Sequence, residues 1–525
     1  MPKVLIADKL SPAAVAIFKE RGVDADVKTG LAKDELIKIV GEYDGIAIRS
    51  ASKITADVIK AAKNLKVIGR AGIGVDNVDI PAATAAGVIV MNTPFGNSIT
   101  TAEHAISLML ALARDLPAAN ASTQAGKWEK NRFLGVEITG KILGLIGAGN
   151  IGSIVADRAR GLKMRVIAYD PYLSAERAQG LGVEKVELND LLARADFITL
   201  HVPMTPETKN ILSAEALAKT KKGVRIVNCA RGGLIDEKAL KAALDSGHVA
   251  GAALDVFEVE PAKENVLFGS EKLVATPHLG AATTEAQENV ALQVAEQISD
   301  YLLTGAITNA LNMPSISAQE AHKVRPWISL AEKLGGFVGQ LTDSSLSAVE
   351  IVYEGTPAGL NTRALTQAAL AGLLKPMLSD VNMVNAPVVA KERGIKVSET
   401  LRDQQGVYEG YIKITAAMGD STRRVAGTVF SDDRPRLIQV KDIGVDAEFA
   451  AHMLYVVNED KPGFIGRLGT LLGDAKVNIA NFTLGRSAPG QDAICLVEVD
   501  GRVPDEVIGT IAKLPPVKMA KQLTF

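Results

Sequence analysis

Arg231 in NCARGG, Glu260 in DVFEVEP and His278 in TPHLG each stand just after a short apolar run. Imidazole titrates near neutrality, so His278 is suited to give a proton to a ketone oxygen, or to take one from a hydroxyl in reverse. A carboxylate touching that ring favours the imidazolium form and holds it in place, and Glu260 is the candidate. Arg231 offers a planar fork for a 2-oxo or 2-hydroxy carboxylate and can polarise the adjacent carbonyl. Taken singly, each of the three is as readily structural. Together, at the exits of one nucleotide-binding sheet, they point to hydride chemistry with a nicotinamide as carrier. Two further basic stretches follow apolar runs nearer the N-terminus: Arg49-Ser50 after GIAI, and Arg70-Ala71-Gly72 after KVI. Arg49 and Arg70 suit a carboxylate or phosphate clamp, with solvated loop charge as the alternative.

The element that must position this chemistry lies at residues 141–170. Ile142 to Ile146 reads as a buried parallel strand. It leads into Gly147-Ala148-Gly149-Asn150-Ile151-Gly152, which fits G-x-G-x-x-G, and then a helix over 151–162. Gly147 permits the tight turn, Gly149 lets the backbone approach a pyrophosphate, and Gly152 lets helix and strand pack closely. The helix N-terminus presents free N–H groups and partial positive charge to phosphates. A second apolar run ends at Asp170, eighteen residues after Gly152. An acid there accepts hydrogen bonds from a ribose diol and repels a 2′-phosphate, which favours NAD over NADP. A lone glycine pattern is weak evidence; strand, helix, second strand and terminal acid together make it strong.

The remaining chain supplies sheets of the same kind. Residues 1–97 alternate strands (KVLIAD, DGIAIRS, KVIGRAG, GVIVMN) with helical patterns, a βαβ series that implies a parallel sheet. Residues 98–119 read as one long apolar helix capped by Ser98 or Thr100, with Glu103 and His104 near its start as residues that could face a cofactor. Trp128 lies in a polar crossing with Arg132 and Lys141 and suits a subunit or domain contact. After the glycine loop the alternation resumes, and a helix from Thr284 returns the chain to the first lobe. One sheet domain is thus inserted into another, with a cleft between them. The expected boundaries are 1–97 with 285–312 for the first lobe and 98–284 for the nucleotide lobe. A third region follows at 315–448, with strands near 349–354, 411–415 and 424–431 and a helix at 362–374, and no catalytic constellation. The last segment, 452–525, reads as βαββαβ, a ferredoxin-like module.

Composition excludes several function classes. The formal net charge of −2 gives no basis for binding nucleic acid or an anionic membrane. No apolar run approaches the roughly 18 residues that a membrane span needs, and the N-terminal run is too short for a signal peptide. Cys229 and Cys495 lie far apart and outside any metal-ligand spacing. The expectation is a reduced, cytoplasmic α/β protein without disulfides or a metal centre.

NCARGG, DVFEVEP and TPHLGA, downstream of GAGNIG and Asp170, resemble the D-isomer-specific 2-hydroxyacid dehydrogenase family over residues 1 to about 310. IRSAS, GRAGIGVDNVD, NTPFGNS and VNAPVVAKERGI extend the likeness to the family's long, phosphoglycerate-oxidising branch over nearly the whole chain. The resemblance implies Arg231, Glu260 and His278 as the catalytic set. It implies an NAD site lined by Gly147, Gly149, Asn150, Ile151, Gly152, Asp170, Cys229, Ala230, Arg231, Asp255, His278 and Gly280. Ile73 and Val202 fall at its edge, apolar where relatives carry a hydroxyl. It further implies substrate contacts from Arg49, Ser50, Arg70, Gly72, Arg132 and Lys141, and oxidation of 3-phospho-D-glycerate as the first step towards serine. The region 315–448 resembles that branch's allosteric substrate-binding domain. The final module resembles an ACT domain, a regulatory fold that binds amino acids at a subunit interface. There Asn458, Asp460 and Asn478 would hold serine as effector, unless all three are simply turn residues. A homotetramer is the implied assembly. Two rivals share the catalytic set: a glyoxylate or hydroxypyruvate reductase, which usually ends after the two lobes, and an NAD-sensing protein-binding scaffold, which would be expected to carry disordered docking tails.

Overall fold

The computed structural model describes residues 1–378, 380–403, 406–419 and 421–525. Four sheets carry the chain. The first has five parallel strands in the order Asp24–Val27, Lys3–Ile6, Gly45–Ile48, Val67–Arg70 and Ile89–Asn92. Gly45–Ile48 is buried throughout, as strands covered by helices on both faces must be. The second sheet has seven parallel strands centred on Ile142–Ile146, between Phe197–Leu200 and Arg165–Tyr169. The helix Thr284–Thr304 returns from the second sheet to cover the first, with Val290, Val294 and Ile298 buried against it. Together these elements bear out the expectation of two parallel-sheet α/β lobes.

The third sheet is mixed: Leu346–Gly355 pairs parallel with Lys396–Arg402 on one side and antiparallel with Gly410–Met418 on the other. The helices Ala318–Gln340 and Thr362–Leu374 cover it, and both supply its hydrophobic core. They approach so closely that a Cβ on Gly372 would stand 1.9 Å from the carbonyl oxygen of Glu332, a contact only glycine allows. This region docks on the first lobe through two amides: Asn382 donates to the Gly87 carbonyl at 3.0 Å, and Asn385 to that of Ala85 at 3.1 Å. The last sheet runs Ile479–Arg486, Asp492–Val499, His452–Glu459, Val517–Thr524, all antiparallel. With helices Phe464–Asp474 and Asp505–Ala512 this is the expected βαββαβ module. Among the described residues no helix is long and apolar enough to cross a membrane.

Several expectations need correction. The helix read over 98–119 is two helices, Ser98–Ala113 and Leu116–Gln124. The break falls at Asp115, which takes a left-handed φ of 50°, two residues before Pro117, whose ring cannot continue a helical ladder. Neither Ser98 nor Thr100 caps the first of these: its cap position is Asn97, and the Ser98 hydroxyl donates instead to the Pro94 carbonyl. The glycine-loop helix begins at Asn150, one residue before Ile151.

Candidate active site

The nucleotide cradle forms where Ile142–Ile146 leaves its sheet. Gly147 has φ 96°, and a Cβ there would stand 2.7 Å from the His201 carbonyl oxygen. A Cβ on Gly152 would meet the Gly147 carbonyl at 2.1 Å, so the helix Asn150–Gly161 abuts the turn only because that residue is glycine. Gly149 faces open space, with nothing within 4 Å of where its Cβ would be. Asn150 is exposed and Ile151 half-buried beside it. Asp170 stands at the end of the neighbouring strand. Its carboxylate accepts from the Ala148 N–H at 2.9 Å and from the Tyr172 N–H at 2.8 Å, which fixes the acid against the glycine loop. An open backbone face at a helix N-terminus, flanked by a fixed acid, fits an adenine dinucleotide.

At the exits of the next strands the acid–base pair is assembled. His278 Nδ1 lies 2.7 Å from Glu260 Oε2, and Glu260 Oε1 accepts from the Phe257 N–H at 3.0 Å. The hydrogen bond to Glu260 holds the imidazole above its ordinary pKa. Burial would raise the Glu260 carboxyl, but the bonds from His278 and Phe257 outweigh it and keep the group below its usual range. His278 adopts φ 55°, a left-handed conformation uncommon for a residue with a side chain. Its N–H donates to the Asp255 carbonyl at 2.9 Å, which ties this turn to the strand Val249–Leu254.

Asp255 is the buried hub of the same turn. Its carboxylate accepts from the N–H groups of Leu279 (2.7 Å) and Gly280 (2.8 Å) and from the Thr276 hydroxyl (2.6 Å). His104 Nε2 lies 3.2 Å away. Burial opposes ionisation of Asp255, but these donors win and hold its carboxyl low. Cys229 is buried beside this hub; burial first, and then the Asp255 charge, push its thiol well above the ordinary range, so it is no nucleophile at neutral pH. His104, Cys229 and Asp255 have donor atoms within 4.8 Å of one another. Within this group His104 and Asp255 are in direct contact. Glu103, on the same helix as His104, is exposed and outside the group.

A cluster of guanidiniums gathers at the cleft, Arg70 and Arg49 on the first lobe and Arg231 on the nucleotide lobe, close enough to act on one another's charge. Arg70 ends the strand Val67–Arg70; its Nε is buried without a hydrogen-bond partner among the described residues. Its Nη1 packs over Gly72, where a Cβ would stand 1.6 Å away, and reaches the Ala71 carbonyl at 3.3 Å. Burial, together with the charges of Arg231 and Arg49, holds Arg70 down to about 10, still protonated at neutral pH. Arg231 Nη1 donates to the Ala230 carbonyl at 2.7 Å, and its Nε donates to Asp76 at 3.0 Å. The loop carrying Gly72 is fixed from beneath: its N–H donates to the buried Thr93 hydroxyl at 2.7 Å, and the Asn92 amide donates to the Ile73 carbonyl at 2.7 Å.

Not every expected residue joins this cleft. Ser50 is exposed on the loop after Arg49. Arg132 is held by Glu129 and Glu271, the latter at 2.8 Å. Lys141 precedes Ile142–Ile146, the entry end of a strand whose exit carries the glycine loop, so about 17 Å of strand separates it from the cleft. Within one chain, Lys141 sits at the entry end of its strand, away from the cleft, while Arg132 is engaged by its two glutamates. The three effector residues are likewise apart. Asn458 pairs with Ala493 in the strand register, while Asn478 donates to Asp500, past the other end of that strand. Seven residues of extended chain put about 23 Å between them. Asn458 is buried, and Asp460 is taken by Arg486 at 2.7 Å. Residue type and spacing do not single out Asp76, Asn92 or Thr93, although Asp76 lies inside GRAGIGVDNVD and the other two open NTPFGNS, where the family likeness is strong.

Models of three families match successive parts of the chain: the D-isomer specific 2-hydroxyacid dehydrogenase NAD binding domain over 106–280, the D-3-phosphoglycerate dehydrogenase intervening domain over 323–441, and the ACT domain over 452–516. The D-3-phosphoglycerate dehydrogenase of Synechocystis is 44% identical over 524 residues, covering 99% of this chain and 94% of that one. That of Methanocaldococcus jannaschii is 44% identical, covering 99% of each. The chain belongs to the D-3-phosphoglycerate dehydrogenase family. Like the other members it is an NAD-binding oxidoreductase with a regulatory ACT module. A solved glyoxylate reductase from Paecilomyes thermophila is 32% identical with a TM-score of 0.55, yet covers only 59% of this chain. The D-lactate dehydrogenase of Escherichia coli behaves alike, at 29% identity and a TM-score of 0.54 over the same share. This chain differs from both in carrying an intervening domain and an ACT module after its two catalytic lobes.

Proposed function

We propose that the chain oxidises 3-phospho-D-glycerate to 3-phosphohydroxypyruvate, the reaction its relatives are named for and the entry into serine synthesis. The observation that carries this reading is the Glu260–His278 pair facing Arg70 and Arg231 beside the nucleotide cradle. Glu260 occupies Nδ1, so Nε2 of His278 is the atom that accepts the C2 hydroxyl proton. Gly149, Asp170 and the helix N-terminus at Asn150 would hold NAD, which would supply the acceptor for the hydride leaving C2. Arg231 holds the carboxylate and orients C2, and Arg70, with Arg49, meets the second anionic group of the substrate. Cys229, Ala230, Asp255 and Gly280, on the turns beside the acid–base pair, would line the cofactor site.

The ACT module supports a serine site built from two copies of the chain, Asn458 and Asp460 of one copy facing Asn478 of another. This fits the distance between them within a single chain and implies a homo-oligomer, with a tetramer as the expected state. Two buried, unpaired cysteines suit a reducing, cytoplasmic setting.

The test follows NADH absorbance with purified protein, NAD and 3-phosphoglycerate, with and without L-serine, for the native chain and His278→Ala. Turnover in the native chain should fall about 10²- to 10⁴-fold in the variant while NADH still binds. Turnover of glyoxylate but not of phosphoglycerate would overturn the substrate, and turnover indifferent to serine would overturn the effector.

A further inference from the structure

Asp76 does something in the cleft that the proposed reaction does not require of it. It lies on the first lobe, in the loop after Arg70, while Arg231 belongs to the nucleotide lobe. Their contact, Arg231 Nε to Asp76 Oδ2 at 3.0 Å, therefore bridges the cleft. The loop is shaped for it. A Cβ on Gly74 would stand 1.7 Å from Arg231 Nη2 and 3.1 Å from Asp76 Oδ2, so guanidinium and carboxylate both lie on that bare backbone. Asp76 also offsets the charge of Arg70.

A guanidinium binds a carboxylate in two-point fashion along one of its edges. Arg231 has spent one N–H of Nη1 on the Ala230 carbonyl. Its side edge, Nε with Nη2, is the one that keeps both donors off the protein backbone, and Asp76 stands on its Nε. A substrate carboxylate arriving at that edge meets a carboxylate already there, and two like charges within a few ångströms cannot share it.

We infer that Asp76 is an exchangeable carboxylate stand-in: it neutralises Arg231 in the empty cleft and is displaced when the substrate carboxylate takes the Nε–Nη2 edge. This rests on Arg231 as the carboxylate anchor and adds to it a residue that sets how tightly anionic substrates bind. Asp76 is a positioning residue, acting only through Arg231 and Arg70. Its high exposure lets it swing into water once displaced, with 76% of its side chain accessible. The exchange costs the substrate part of its binding energy and spares the free enzyme a cluster of unneutralised guanidiniums.

The experiment is steady-state kinetics on the full chain with Asp76→Asn and Asp76→Glu, with 3-phosphoglycerate and NAD varied separately and sulfate as a non-reacting anion. Asn keeps the shape and a hydrogen-bond acceptor but removes the charge. In Asp76→Asn the KM for phosphoglycerate and the inhibition constant for sulfate should both fall, by about 3- to 10-fold. The KM for NAD and kcat should stay within about twofold. Asp76→Glu restores the charge and should return both constants towards the native values. A KM that is unchanged or rises in Asp76→Asn would overturn the inference, as would a fall in kcat alone, which would mark a purely structural brace. An inactive native chain would overturn the reaction itself. In that case sulfate binding, read by quenching of bound NADH fluorescence, still decides whether Asp76 competes for the anion site.

Discussion

In the cleft, neither Arg49 nor Arg70 makes an ion pair among the described residues, and Arg231 shares one exposed carboxylate across the lobes. At the far end of the chain, Arg486 holds Asp460, Lys518 holds Asp492 and Arg502 holds Asp505, each within 3.3 Å. Pairs like these, on an exposed surface, contribute little to stability. What they do is cancel charge locally, and the terminal module has little left over for a charged ligand. In the cleft, among the described residues, Arg49 and Arg70 are met by no ion pair, in a partly buried setting where unpaired guanidiniums are costly. A protein retains such an arrangement when a ligand completes it. One site is therefore assembled within the chain and electrostatically incomplete. The proposed effector site is internally neutral and geometrically incomplete within one chain, with Asn458 and Asn478 about 23 Å apart along a strand.

The largest expected effect tests the first half of that contrast. Arg70→Met keeps the length of the side chain and removes the buried charge and its donors. The KM for phosphoglycerate should rise about 10- to 100-fold, the range for losing hydrogen bonds between charged groups. Inhibition by serine should keep its native midpoint. Steady-state kinetics at saturating NAD decide it, and a KM within twofold of native would mean Arg70 is not an anion ligand.

A smaller effect tests the second half. Asn478→Ala should raise the serine concentration for half-inhibition by about tenfold, as loss of one or two hydrogen bonds predicts, with KM for phosphoglycerate unchanged. If the site is shared between copies, mixing Asn478→Ala chains with Asn458→Ala chains should regenerate some native sites, because one interface then carries both intact residues. Inhibition that fails to recover in the mixture would place the effector within a single chain and break the contrast.

How much of each region is legible in the sequence differs for one physical reason. The nucleotide cradle is local: GAGNIG and Asp170 lie on adjacent strands, and the backbone geometry that glycine allows carries over directly. The βαββαβ order of the last segment is equally plain, because its strands are long, with two apolar runs, HMLYVVN and AICLV, separated by clear turns and helical patterns. The strand Asp24–Val27 is hidden, since DADV carries little apolar signal at a sheet edge. The helix Ala318–Gln340 is hidden too, with Pro326 inside an otherwise good capping box and apolar stripe. Pairings between residues far apart in sequence, such as Asp76 with Arg231 across the lobes or His104 with Asp255 within one, leave no periodic trace in the chain. Where Lys141 and Arg132 lie, at the entry end of a strand and against Glu129 and Glu271, is likewise not legible from their nearness to a motif in sequence.

The smallest effect concerns the pair that gives the cleft its chemistry. Neutral His278 is the proton acceptor in oxidation, so the oxidation rate rises as pH climbs through its pKa. Glu260 holds that pKa above the ordinary imidazole value, which puts the rise on the alkaline side. Reduction needs the imidazolium, so its rate falls through the same pKa as pH rises. In Glu260→Gln the stabilising charge is gone while the side chain can still hydrogen-bond the ring. Both limbs should move to lower pH: oxidation then reaches its plateau earlier, and reduction is lost earlier. Rate profiles for kcat/KM in the two directions measure this, and the two limbs must move together because one group sets both. If only one limb shifts, the proton is carried by a second residue, and the Glu260–His278 pair no longer accounts for both directions of the reaction.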